Sequence, residues 1–208
     1  MAGYKVILLS DILNAYKDEP QKSESIIKSL TSKFSCPLNK DVETFLKDKA
    51  IVFAKQQIAP TYFVLAEYKG RLELVGYFTL TIKSFLIKKA PLSSTLAKRI
   101  RKFGTYDSGL KSYVIPAPLI AQLGKNYTDG LNNLITGAEL LDLACNKVRE
   151  IHRMGGGKIV YVECEDKPAL VDFYTKYGFV EFGKRTLEGD EKDDITGDYY
   201  IQLLRYIE

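Results

Sequence analysis

Glu163 and Glu165 stand two residues apart in the run Ile159-Val160-Tyr161-Val162-Glu163-Cys164. Its β-branched and aromatic content predicts a strand, and strand side chains alternate, so both carboxylates face the same side of a sheet. Either could take a proton there, directly or through water. Ten residues on, Phe173-Tyr174 places a phenol on a predicted short helix, where Leu170, Phe173, Tyr174 and Tyr177 share one face. A second kind of chemistry belongs to the start of the long helix predicted from Leu134. The N–H groups and positive dipole end of such a terminus can hold a pyrophosphate without any charged side chain.

Other chemistries are excluded by what is missing. His152 is the single histidine, so Ser/His/Asp and Cys/His triads have only one residue to share; it falls in the last turn of the long helix, where an imidazolium suits the carbonyl end. Cys36, Cys145 and Cys164 show neither paired nor metal-type spacing, so no metal site and no disulfide framework is expected. Gly155-Gly156-Gly157-Lys158 lacks the GxxxxGK[ST] spacing of a phosphate loop and is read as a helix end and turn.

The elements that must position these groups follow from periodicity and breakers. A short strand, Lys5 to Leu9, precedes polar helices near Ser10 to Lys17 and Ser23 to Phe34, and a further helix over Asp41 to Gln57. Thr61 to Ala66 and Leu74 to Ile82 are strong strands joined as a hairpin through Tyr68-Lys69-Gly70-Arg71. A short helix, Leu92 to Phe103, is capped by Ser93 or Ser94 and shows Lys98, Arg99, Arg101 and Lys102 on its outer side. Ile115 to Lys125 is a strand whose Pro116 and Pro118 suit an edge or a splayed end. The long helix, about Leu134 to Arg153, repeats Leu134, Ala138, Leu141, Cys145 and Val148 at buried-stripe spacing. Asp166 is a candidate N-cap and Pro168 a first-turn residue for the short helix, which Gly178 ends. A strand from Phe179, an acidic loop from Glu188 to Asp198 and a last strand from Tyr199 to Tyr206 close the chain. Hairpin, strand, helix, strand, helix, strand, strand is the order of an α/β or α+β sandwich rather than a doubly wound nucleotide fold.

At 208 residues and 46% hydrophobic content the chain can bury a core as one domain, residues 1 to 208, with an N-terminal extension of about 35 residues and a basic insertion at about 83 to 114. A net charge of +4 does not by itself demand nucleic acid. No apolar run approaches a membrane span, and Met1 to Ser10 lacks the features of a signal peptide, so a cytoplasmic location is expected.

The segment Pro168-Ala169-Leu170 through Phe173-Tyr174-Thr175-Lys176-Tyr177-Gly178-Phe179 resembles the PA(I/L)xxFYxKxGF signature of the GNAT N-acetyltransferase superfamily. The resemblance covers roughly Thr61 to Phe182. It implies a mixed, mostly antiparallel central sheet splayed between the family's fourth and fifth strands, with helices on both faces, and acetyl-CoA as co-substrate. It further implies that Tyr174 protonates the departing thiolate and that Phe173 and Asp166 lie along the coenzyme; where Asp166 stands the family usually has asparagine. The family's pyrophosphate turn, Q/R-x-x-G-x-G/A, is matched by Asn132-Asn133-Leu134-Ile135-Thr136-Gly137-Ala138 with one glycine absent in either alignment. Leu123 to Thr128 resembles the end of the family's fourth strand, so Asn126, Tyr127 and Thr128 are expected to offer backbone groups to the pantetheine and the oxyanion.

Phe34-Ser35-Cys36, Gly76-Tyr77-Phe78-Thr79-Leu80 and Leu123-Gly124-Lys125 look like the FxC, GYYTL and LGR stretches of one branch of that superfamily. Its members are toxins that acetylate aminoacyl-tRNA and are neutralised by an antitoxin. Three readings therefore stand: an acetyltransferase for a small-molecule or peptide amine, with a homodimer compatible; a toxin with aminoacyl-tRNA as acceptor and an antitoxin-like partner; and an inactive coenzyme-binding or interaction module, suggested by the depleted phosphate turn. In the enzyme readings Glu163 or Glu165 is the candidate base.

Overall fold

The computed structural model describes residues 3–88, 93–189 and 198–207. Leu92, the expected start of the basic helix, and all but the ends of the acidic loop from Glu188 to Asp198 lie outside the described residues. The chain divides into two compact units, one of Met1–Thr81 and Ala121–Ala144, the other of Ile82–Ile120 and Cys145–Glu208.

In the first unit β1 (Lys5–Leu8) leads into α1 (Leu9–Ala15) and α2 (Pro20–Thr31), whose Pro20 occupies a first-turn position where no N–H is missed. α3 (Lys40–Thr44) is capped by Asn39, whose side chain accepts from Val42 N; a wide π-type turn, Phe45–Lys49, joins it to α4 (Ala50–Lys55). This is the helix expected over Asp41 to Gln57, with one loosened turn. β2 (Thr61–Tyr68) and β3 (Arg71–Ile87) form the hairpin, turned by Lys69 at φ 50° and Gly70 at φ 74°. β1 lies antiparallel on β2, from Lys5 opposite Leu65 to Leu8 opposite Tyr62. Leu9, Ile27, Phe34, Leu46, Ala50, Phe63 and Tyr77 are buried in one cluster. Complete burial of each large side chain is worth about 1.5–3 kcal/mol.

The second unit holds α5 (Ser94–Ile100), capped by Ser93, and a 3₁₀ turn, Arg101–Phe103, then β4 (Thr105–Asp107), which pairs with the start of β5 (Ser112–Lys125), a strand whose residues from Ala121 on belong to the first unit. β6 (Ile159–Glu165), α7 (Pro168–Lys176), β7 (Val180–Thr186) and β8 (Tyr199–Tyr206) complete it. β6 and β7 both run antiparallel to β8. The strand order is β1-β2-β3-β5-β6-β8-β7, an open, mostly antiparallel sheet of eight strands when β4 is added.

The parallel ladder between β5 and β6 is short. Among the described residues β5 and β6 are in register only at Leu119 with Tyr161 and Ile120 with Val162, while β5 continues to Lys125 and β6 to Glu165. Pro116 and Pro118 lie in β5 just before this register begins. Among the described residues no helix is long and apolar enough to cross a membrane.

Candidate functional site

Tyr174, Phe173, Glu163, Glu165 and Asp166 all belong to the second unit, on β6 and α7. Pro168 opens α7, but the N-cap position is taken by Lys167 and no side chain caps the helix. The expected capping role of Asp166 is therefore corrected: its Oδ2 accepts from the Tyr199 hydroxyl at 2.7 Å instead, with Lys184 Nζ at 3.9 Å. Gly178, at φ 81°, ends the helix as anticipated, and Phe179 N donates to Tyr174 O at 3.1 Å.

Tyr174 is 9% exposed and meets Phe173 and Phe179 edge-on at 5.1 and 5.6 Å. Burial above all, with smaller contributions from Cys164 and Cys145, raises its pKa well above the ordinary tyrosine value. The phenol thus keeps its proton at any physiological pH. Its hydroxyl makes no hydrogen bond among the described residues, so that proton is not committed to a protein acceptor. Burial likewise pushes the Cys164 thiol up to about 12, which leaves it inert as a nucleophile.

Tyr174 feels Cys164 across the α7–β6 packing, and strand side chains alternate, so Glu163 and Glu165 point to the opposite face of β6. By the same alternation the two carboxylates share that face, yet their surroundings differ. Glu163 Oε2 accepts from Arg185 Nε at 2.8 Å and Oε1 from Gln202 Nε2 at 2.8 Å, so both oxygens are committed. Glu165, 6% exposed, has an ion pair at 2.8 Å with the half-exposed Lys167.

Asn126 through Ala138 lie in the first unit. The Asn126 side chain, 3% exposed, donates to Leu74 O at 2.8 Å and accepts from Ser35 N and Thr128 N, each at 3.1 Å. Asn126 N donates to Val75 O at 2.9 Å and Tyr127 N to Ser35 O at 2.8 Å. All three N–H groups expected to meet the coenzyme or oxyanion are thus spent inside the unit, which corrects their role as donors. Asn126 turns its main chain toward β3; by strand alternation Leu123 and Lys125 present theirs on the other edge of β5.

The long helix, α6 (Gly137–Gly155), starts three residues later than its apolar stripe suggests. A 3₁₀ turn, Thr128–Asn133, precedes it, bent by Asp129 at φ 51° and Gly130 at φ 76°. Thr136 and Glu139 then form a reciprocal cap. Thr136 N and Oγ1 donate to Glu139 Oε2 at 2.8 and 2.7 Å, while Glu139 N donates to Thr136 Oγ1 at 3.1 Å. These bonds, the one from Thr136 N first, hold the Glu139 carboxyl below its usual range. Among the described residues, the first-turn N–H groups of Gly137 and Ala138 make no hydrogen bond. Lys125 Nζ donates to Asn132 O at 3.0 Å and Ile135 O at 3.2 Å, and the Tyr4 hydroxyl donates to Leu134 O at 3.0 Å. Thr136-x-x-Glu139 before an apolar run is a legible capping signal; the parts played by Tyr4 and Lys125 depend on tertiary approach.

The three stretches likened to the toxin branch meet in the first unit. Phe34 packs edge-on against Tyr77 at 5.3 Å, and the Tyr77 hydroxyl donates to Val42 O at 2.5 Å. A Cβ on Gly76 would come within 2.9 Å of Gly124 O, and one on Gly124 within 2.4 Å of Val42 Cγ1.

No protein-family model matches the chain, and no curated protein matches it in sequence. Solved structures do match. AtaT complexed with acetyl-methionyl-tRNAfMet superposes with a TM-score of 0.61 at 18% identity, over 96% of this chain and 94% of that one. A tyrosine-to-phenylalanine mutant of KacT gives 0.60 at 15% identity, over 96% and 94%. AtaTR bound with AcCoA gives 0.56 at 17% identity, over 98% and 92%. The chain has a GNAT-like fold, similar to that of these proteins over nearly its whole length.

Proposed function

We propose that the chain is an N-acetyltransferase that moves an acetyl group from acetyl-CoA to a primary amine by direct attack, with Tyr174 as general acid. The observation that carries this reading is the buried phenol on the helix after β6, kept protonated by its surroundings and with its hydroxyl unspent. Acetyl-CoA supplies the acyl group as a thioester. Gly137 and Ala138, small residues with unpartnered N–H groups at the start of α6, would hold its pyrophosphate, and the outer edge of β5 at Leu123 and Lys125 its pantetheine. Glu165 is the base in preference to Glu163, whose oxygens are both engaged. Glu165 takes a proton from the incoming ammonium, and the free amine forms the N–C bond as the C–S bond breaks. Tyr174 gives its proton to the departing sulfur and regains one, through solvent, from the new amide nitrogen.

For the acceptor, aminoacyl-tRNA is the reading favoured by charge. Asp107 is the one acidic residue between positions 83 and 114, and α5 and its following turn expose Lys98, Arg99 and Lys102. A structural neighbour is AtaT with acetyl-methionyl-tRNAfMet, and another is AtaT bound to the C-terminus of the antitoxin AtaR, so an antitoxin-like partner belongs to the same reading. The test is release of free CoA thiol from acetyl-CoA with an amine panel that includes aminoacyl-tRNA. Turnover with charged tRNA that falls steeply with salt is expected. Turnover confined to small amines rejects the tRNA acceptor, and none with any amine rejects the enzyme.

A further inference from the structure

Opposite charges converge on residues 132–139 of the first unit. The carbonyls of Asn132 and Ile135 face the Lys125 ammonium, the carbonyl of Leu134 faces the Tyr4 hydroxyl, and the Thr136 N–H faces the Glu139 carboxylate. Glu139 also lies within the field of Lys125 and within hydrogen-bonding reach of Tyr4. A carboxylate in a helix's first turn answers the same N–H groups and the same dipole end as a bound phosphate would. Where the GNAT-like turn keeps small residues for a pyrophosphate, this chain has supplied an anion of its own.

Resting on the acetyltransferase reading, we infer that Glu139 occupies the pyrophosphate seat of α6 and that acetyl-CoA binds by turning it out, so that this residue sets coenzyme affinity. The exchange is one anion for another. When the carboxylate leaves, the N–H of Thr136 joins those of Gly137 and Ala138 in a set of three adjacent donors, while Glu139 N stays on Thr136 Oγ1, and Lys125 passes its attraction from Glu139 to the phosphates. Binding then costs the Glu139 cap, an expense that a glycine-rich turn without an internal acid would not incur.

Glu139→Gln isolates the charge, because glutamine can rebuild the same reciprocal cap. Calorimetry on the full chain compares acetyl-CoA with S-acetylpantetheine, which carries the thioester and no phosphate. Glu139→Gln is expected to bind acetyl-CoA about fivefold tighter or more and to leave S-acetylpantetheine unaffected. Equal acetyl-CoA affinity in the two proteins overturns the inference and leaves the acetyltransferase reading standing. A gain on both ligands also overturns it, since loosening of the fold rather than removal of an anion would be the cause. If neither protein binds acetyl-CoA while circular dichroism shows both folded, the acetyltransferase reading fails and takes this inference with it.

Discussion

Replacing Asn126 by alanine separates a scaffold residue from a coenzyme ligand. The side chain makes one bond as donor, to Leu74 O, and two as acceptor, from Ser35 N and Thr128 N, in a site only 3% exposed. Alanine leaves three backbone groups without partners. A buried orphan costs about 1–3 kcal/mol, but Ser35 and Thr128 are only partly buried and water can recover some of theirs. The net loss works out at roughly 2–4 kcal/mol, read as a lower urea midpoint with an unchanged slope. Asn126→Asp refines the test. It keeps both acceptor functions and loses only the donor, setting a carboxylate against the Leu74 carbonyl, so it should be destabilised at neutral pH and partly recovered in acid as the carboxyl gains a proton. A midpoint for Asn126→Ala within about 0.5 kcal/mol of wild type would refute the bond-by-bond reasoning. So would a selective loss of coenzyme affinity in a protein of unchanged stability, which would return Asn126 to the role its position in the sequence suggested.

Tyr174→Phe should lower kcat about 100-fold or more while coenzyme affinity and melting temperature stay near wild type, because the hydroxyl has no partner to lose among the described residues; wild-type turnover removes the assigned acid. Gly124→Ala forces a methyl to within 2.4 Å of Val42 Cγ1 and should cost about 1–3 kcal/mol by denaturant titration. Glu43 accepts from Lys47 Nζ first, then from Cys36 N and Lys40, and its carboxyl is held down to about 2. A folded pKa below the unfolded value means stability that is present above about 4.5 and lost as pH falls toward 2, so Glu43→Gln should flatten that limb of the stability–pH curve. The exposure of Lys40 and Lys47 keeps the effect modest and salt-sensitive; an unaltered acid limb in the variant contradicts it.

The region from β6 to β7 was legible because its determinants are local: a β-branched run, a proline in the first helical turn, one apolar face and a left-handed glycine. Misreadings arose where the deciding partner is distant in the chain. Asp166 looks like a cap until Tyr199 arrives from 33 residues away. The N–H groups of Asn126 and Tyr127 look free until Val75 and Ser35 take them. Glu163 and Glu165 are indistinguishable in sequence, and only Arg185 and Gln202, brought in by β7 and β8, tell them apart. The start of α6 was misplaced for another reason. Leu134 fits the apolar stripe, but Leu134 N already bonds Leu131 O in the preceding turn, and the Thr136–Glu139 cap decides where the helix begins.

The close approach at Gly76 and Gly124 bears on how relatives of this chain are found. Those glycines, with Phe34 and Tyr77, are what the short toxin-like stretches have in common, and here they solve a packing problem. A query built on them would retrieve chassis of one make whatever each has been fitted to modify. To sort such chains by acceptor, a comparison would do better to start from the basic span around α5 and the charge at the head of α6.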